Sequence, residues 1–200
     1  SINLKDYLFV LRGEKNITIV VPQKGINDEG KGKKHALYRL ISAAKTEYVW
    51  MQDDDVILHS LEDALSGYSL EVKGMDLLIL TLRMESEREK PSLLERLQIA
   101  EYAAIQQLTI ETAKRGHAVM CSGANLIAKR DRWLESYPDL HPEIPSGDDM
   151  FLLESFKRRG LKIAVSESEE LTATVRPHTS WSAFFRQRMR WAGKAPKYTD

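Results

Sequence analysis

Three adjacent carboxylates, Asp53, Asp54 and Asp55, follow the apolar run Tyr48-Val49-Trp50-Met51. Neighbouring carboxylates repel, so a strand that ends in them calls for a compensating cation, and a divalent metal has the required charge. A solvated acidic turn explains an isolated triplet equally well. Further along, Ser146-Gly147-Asp148-Asp149 opens a helical pattern. Ser146 and Asp149 fit a capping box, while Asp149 at a helix N-terminus also suits a general base that takes a proton from a hydroxyl. A helix N-terminus stabilises the carboxylate, so a working base needs an offsetting neighbour such as Asp148. Near the C-terminus, Gln187, Arg190 and Trp191 share one helical face. A guanidinium fork beside an indole suits a phosphate next to a sugar ring. The structural alternative is an amphipathic helix that buries Trp181, Phe184 and Phe185 beneath solvated arginines.

The segment from Gly25 to Lys34 precedes the first helical pattern, and its glycines and lysines favour a phosphate at the helix N-terminus. It approaches a Walker A loop, with Asp53–Asp55 in the place of a Walker B strand. Gly32 stands where a magnesium-binding Ser or Thr is required, which argues against a P-loop ATPase.

Short apolar runs at Tyr7–Leu11, Ile17–Val21, Tyr48–Met51, Leu77–Leu80, Ala118–Cys121, Asn125–Ala128 and Lys162–Val165 predict buried strands of a largely parallel sheet. Helical patterns alternate with them. The stripe Ala36, Leu37, Leu40, Ile41 and Ala44 precedes the aspartate strand, so the class is α/β with helices flanking the sheet. The longest helix is expected over Leu93–Arg115, with a Ser92/Glu95 capping box and Gly116 as its left-handed cap. Leu93, Leu94, Leu97, Ala100, Ala104, Ile105 and Leu108 form its expected core face. Further helices are expected from Asp148 to before Gly160 and over Trp181–Ala192. Segments 85–92 and 136–147 read as polar surface loops.

The 200 residues, 42% of them hydrophobic, suffice for a single domain with a sizeable core. A formal net charge of zero provides no field to recruit nucleic acid. The single cysteine, Cys121, cannot form an internal disulfide. No apolar stretch reaches the ~20 residues of a membrane span.

Taken in order, Asp53-x-Asp55, Gly123 in a Cys-Ser-Gly-Ala-Asn turn, Asp148-Asp149 and Gln187-x-x-Arg190-Trp191 resemble the family 2 glycosyltransferases. The closest branch contains the cellulose, chitin and hyaluronan synthases. Gly32-Lys33-Lys34-His35-Ala36-Leu37 is similar to that family's Gly-Lys-x-x-Ala-Leu segment. The resemblance implies a GT-A fold and an inverting, metal-assisted transfer from a nucleotide-diphosphate sugar, such as a UDP-sugar, to a saccharide hydroxyl. It implies Asp55 as the ligand of Mn²⁺ or Mg²⁺, and Asp53 and Lys33 at the nucleotide. Gln187 and Arg190 would hold the diphosphate, and Asp149 would act as the base. Gly123, Asp148 and Trp191 would line the sugar and acceptor pocket. Two departures stand out: Asp148 replaces the usual Glu, and the family's Pro-x-x-Asn-Glu strand and its successor are missing. Those gaps, with a start at Ser1, suggest a fragment of a longer protein held at the cytoplasmic membrane face by segments outside this chain. A non-catalytic nucleotide-sugar-binding module of the same fold is the alternative.

Overall fold

A computed structural model describes residues 32–60, 62–64, 67, 71–144 and 147–192. The runs Tyr7–Leu11 and Ile17–Val21, most of the glycine–lysine segment and Ser146 lie outside the described residues. The chain runs through α1 (Lys33–Ala43), β1 (Tyr48–Gln52), β2 (Ile57–Leu58), β3 (Leu77–Leu80) and β4 (Leu82–Met84). It continues through α2 (Leu93–Lys114), β5 (Asn125–Lys129), α3 (Arg130–Ser136) and a 3-10 turn (Tyr137–Leu140). The last elements are α4 (Asp148–Arg158), β6 (Ile163–Ser166), β7 (Ala173–Val175) and α5 (Trp181–Ala192).

Alternation of side chains across the strands builds the core on both faces of a four-stranded sheet ordered β1-β5-β3-β6. Met51, Leu77, Ile79, Leu126 and Ala128 pack with Ile41, Trp133, Phe151, Leu152 and Phe156 from α1, α3 and α4. Leu78, Leu80 and Ile127 point the other way, toward Ala64, Val72 and Leu171. All four residues of β3 are buried, which is why its sequence is a continuous apolar run rather than an alternation. The expected α/β class is therefore present. Strands β1, β3 and β6 run in one direction, while β5 pairs antiparallel with both β1 and β3. A second sheet, ordered β2-β7-β4, joins the first through buried Asn125. Its Nδ2 donates to the carbonyls of Thr81 and Leu171, and its Oδ1 accepts from Trp50 Nε1.

Three expectations need correction. Ala118–Cys121 forms no strand; it leads from α2 into β5 without a ladder partner among the described residues. The 136–147 segment is not simply a surface loop, because Leu140 is fully buried in the 3-10 turn. Helix α2 has its predicted caps: the Ser92/Glu95 box closes its start, and the amides of Gly116 and His117 bond back to Ala113 and Thr112. Its buried face, however, carries Leu94, Gln98, Thr109, Ile110 and Ala113, leaving Leu93, Leu97 and Leu108 exposed. Hydrogen bonding decides the rotation. Buried Gln98 serves the His178 backbone, and Gln106 Oε1 accepts from the Leu82 amide, so polar residues occupy positions that apolar periodicity assigns to solvent. Among the described residues no helix is long and apolar enough to cross a membrane.

Candidate active site

Antiparallel entry of β5 builds the site. Gln52 pairs with Asn125, so the turn before β5 lies beside the end of β1, and the Asp53 amide donates to the Ala124 carbonyl at 3.3 Å. Asp53–Val56 then form a tight turn, with the Val56 amide donating to the Asp53 carbonyl. Asp54 and Asp55 are exposed on it, and Asp53 is half-buried.

Lys33, at the start of α1, joins the two acidic groups. Its Nζ lies 2.5 Å from Asp53 Oδ1 and 3.5 Å from Asp148 Oδ2. Burial lowers the Lys33 pKa, but Asp148, Asp53 and Asp149 more than offset that effect and raise it above the ordinary lysine value. The ammonium therefore stays charged through neutral pH. Its neighbour Lys34 takes a different part from the phosphate contact expected of this lysine-rich segment. Lys34 is buried; it donates to the carbonyls of Leu140 and His141 and lies 4.7 Å from the centre of the Phe151 ring. It ties the turn before α4 to α1 instead of facing a ligand.

Helix α4 begins with Asp148 and Asp149 in its first turn. Its N-cap is Gly147 at φ 83°, with no side-chain cap, and the capping box expected from Ser146 and Asp149 falls on a residue outside the described ones. Asp149 Oδ2 accepts from the Gly123 amide at 3.2 Å, and Oδ1 from the Met150 amide at 2.9 Å. The Cys121 thiol donates to the Asp149 carbonyl, and burial, followed by Asp149 and Asp148, pushes its pKa well up, so it is a neutral packing group. Space beside Gly123 is tight. A Cβ there would stand 3.3 Å from Asp148 Oδ2, 3.4 Å from Asp149 Cβ and 3.6 Å from Lys33 Nζ.

Lys33, Asp53, Gly123, Asp148 and Asp149 thus converge. Asp55 stands apart on the exposed turn, within electrostatic reach of Tyr102 on α2. Burial raises the Tyr102 pKa, with Asp55 and Asp53 adding to the rise and Arg188 opposing it, so the phenol stays protonated as a donor. Helix α5 has no buried residue, and the expectation that Trp181, Phe184 and Phe185 are buried fails: Trp181 and Phe185 are about half exposed and stack on each other. Gln187 is half-buried, whereas Arg190 and Trp191 are exposed.

Residues 13–194 match the family described as Glycosyltransferase like family 2. The chain belongs to that family. No curated protein matches it. Among solved structures it is similar to glucosyl-3-phosphoglycerate synthase from Mycobacterium tuberculosis in complex with Mn²⁺ and UDP-glucose, at 21% identity and a TM-score of 0.42, over 90% of this chain and 57% of that one. It is also similar to mannosyl-3-phosphoglycerate synthase from Rubrobacter xylanophilus, at 18% identity and a TM-score of 0.39, over 82% of this chain and 52% of that one. The chain therefore spans little more than half the length of these structures.

Some residues around the site of this glycosyltransferase-family chain are not visible as motifs. Tyr102 lies within a helical repeat that its sequence neighbours do not distinguish. Arg188 looks from sequence like one of several solvated arginines, yet its side chain is four-fifths buried, ion-paired with Glu101 of α2. Only the fold brings those two positions together. A cavity of about 320 Å³ lies beside this region, lined by Thr81, Met84, Tyr102, Gln106, Glu169 and Thr172.

Proposed function

We propose that this chain is the catalytic domain of an inverting glycosyltransferase that moves a sugar from a nucleotide-diphosphate sugar to a hydroxyl of a saccharide or polysaccharide. The observation that carries the reading is the convergence of Lys33, Asp53, Gly123, Asp148 and Asp149 where β1, β5 and α4 meet. A carboxylate and a cation thereby stand beside one turn, the two kinds of group that displacement at an anomeric carbon uses.

Asp149 is the base. Backbone amides orient both of its oxygens, so it can accept the acceptor hydroxyl's proton as that oxygen attacks. Lys33 lies near the nucleotide in this reading, where its charged ammonium would support negative charge that grows as the sugar leaves. Asp148 and Asp53 hold Lys33 in place. Gln187 and Arg190 are assigned to the diphosphate and Trp191 to the acceptor ring; the family motif supports these roles, although Arg190 is exposed here.

Asp55, with Asp53 beside it, would hold Mn²⁺ or Mg²⁺. No group of three or more His, Cys, Asp or Glu side chains gathers for a metal among the described residues. Asp55, a hard carboxylate on the exposed turn, nevertheless fits a cation that takes its remaining ligands from phosphate oxygens and water. When bound, such a cation neutralises charge on the leaving diphosphate.

The protein is assigned to the cytoplasmic face of a membrane, held by segments outside this chain. The exposed apolar side chains of Trp181, Phe185 and Met189 on α5 and of Leu93 and Leu97 on α2 are consistent with that reading. To test the activity, the full-length protein would be incubated with a panel of nucleotide-diphosphate sugars and saccharide acceptors, with Mn²⁺ or with a chelator. Metal-dependent release of nucleoside diphosphate, lost in Asp55→Ala, is expected. Metal-dependent nucleotide binding without turnover on any acceptor would instead favour a non-catalytic module.

A further inference from the structure

Helix α5 carries Gln187 and Trp191 yet buries none of its residues, so the usual anchor, an apolar face in the core, is absent. Two polar attachments from one face of α2 stand in for it. Gln98 clamps the backbone just before α5, accepting from the His178 amide at 2.9 Å and donating to the His178 carbonyl at 2.8 Å. One turn further along α2, Glu101 pairs with Arg188.

Arg188 then contacts the residues that matter. Its guanidinium lies 4.7 Å from the Phe184 ring centre and 4.3 Å from that of Trp191, and its Nη1 donates to Gln187 Oε1 at 3.0 Å. Phe184 and Trp191 are four residues before and three after it, so the helical repeat stacks both rings on one planar cation. Arg190, two positions on, faces solvent. Tyr102 of α2 is within electrostatic reach of both Arg188 and Asp55.

We propose that Arg188, tethered from α2 by Glu101, is the positioning residue that orients Gln187 and Trp191 for transfer. It acts through those side chains and takes no part in the chemistry. Because Glu101 is partly exposed, the pair adds little to global stability, and its effect is on orientation. Lysine can keep the charge opposite Glu101 but cannot stack between two rings or fork to Gln187. The consequence for catalysis rests on the glycosyltransferase reading above; the orientation itself does not.

The test uses the full-length protein labelled with 5-fluorotryptophan and ¹⁹F NMR, with the Trp191 resonance assigned by Trp191→Phe. Arg188→Met and Glu101→Gln are expected to shift or broaden the Trp191 signal while those of Trp50 and Trp133 stay put. Arg188→Lys should move it too, because the charge survives but the stacking does not. With a nucleotide-sugar donor and an active acceptor, Arg188→Met should lower transfer about tenfold or more, as expected for a misplaced contact group. The Kd of UDP with Mn²⁺ should weaken as well, because Gln187, which Arg188 orients, is assigned to the diphosphate. An unmoved Trp191 signal in Arg188→Met, or undiminished transfer, overturns the proposal. If wild-type protein binds no nucleotide, the transferase reading fails, and the fluorine signals alone judge Arg188. Should Arg188→Met fail to fold, Arg188→Lys and Glu101→Gln carry the same test.

Discussion

The strand-end cluster and helix α5 hold their side chains by opposite means. Around Asp53, Gly123 and Asp149 the backbone is set by the sheet and by α4, whose Phe151, Leu152, Leu153 and Phe156 are buried. Positions there are defined by close packing, so one added methyl group meets three neighbours at 3.3–3.6 Å. Helix α5 hangs on Gln98 and Glu101 of α2 and leaves Trp181, Phe185 and Met189 exposed. A close-packed cluster fixes side-chain orientation, whereas a helix held by two polar attachments can adjust. The comparison predicts that substitutions in the cluster act on chemistry, and substitutions at the α5 attachments act on local order.

The largest effect is expected at the base. Asp149→Asn keeps the shape and the Gly123 contact but cannot take a proton, so transfer should fall about 10²–10⁴-fold while UDP–Mn²⁺ binding persists. Near-normal turnover would remove Asp149 from the mechanism. Gly123→Val comes next. Its side chain must displace Asp148, Asp149 or Lys33, and a shift of this kind costs about 10²-fold in rate. Steady-state kinetics alongside urea unfolding would separate lost geometry from lost fold.

A smaller, local effect is expected in the other region. Gln98→Leu leaves the His178 amide and carbonyl without their side-chain partner, a loss of about 2 kcal/mol. Hydrogen exchange should speed up in α5 and remain slow in β3 and β5. Equal acceleration in both would show that α5 is part of the core unit and dissolve the contrast.

The smallest effect concerns acid. The Ser92 side-chain and backbone hydrogen bonds hold the Glu95 carboxyl below its ordinary pKa. A depressed carboxylate stabilises fully above its unfolded pKa and loses that contribution as pH falls through its folded value. The first turn of α2 should therefore fray below the ordinary glutamate range. Glu95→Gln, which can still cap, should show a flatter acid limb when helix protection is followed against pH.

Legibility from sequence followed the same division. Strands β1, β3 and β5 and the caps of α2 were readable because local apolar runs and cap residues specify them. The order of the acidic motifs was readable too, and the fold brings Lys33, Asp53, Gly123, Asp148 and Asp149 together. The direction of β5 was not, because a short buried run reads alike in parallel and antiparallel sheets. Nor was the buried face of α2, where buried Gln98 and half-buried Gln106 serve distant backbone groups while leucines face out. The roles of Lys34 and Arg188 escaped for a related reason. Each is one of several neighbouring cations, and only long-range contacts, to Leu140 and to Glu101, single it out.

The central claim is that the nucleotide sugar reacts where β1, β5 and α4 meet. A crystal structure of the full-length protein with UDP and Mn²⁺ tests it most directly. The account predicts the cation on Asp55, the diphosphate beside Lys33, and Asp149 facing open space on the acceptor side. Nucleotide seated elsewhere, for instance in the cavity between Thr81, Tyr102 and Glu169, with the aspartate turn bare, would contradict it.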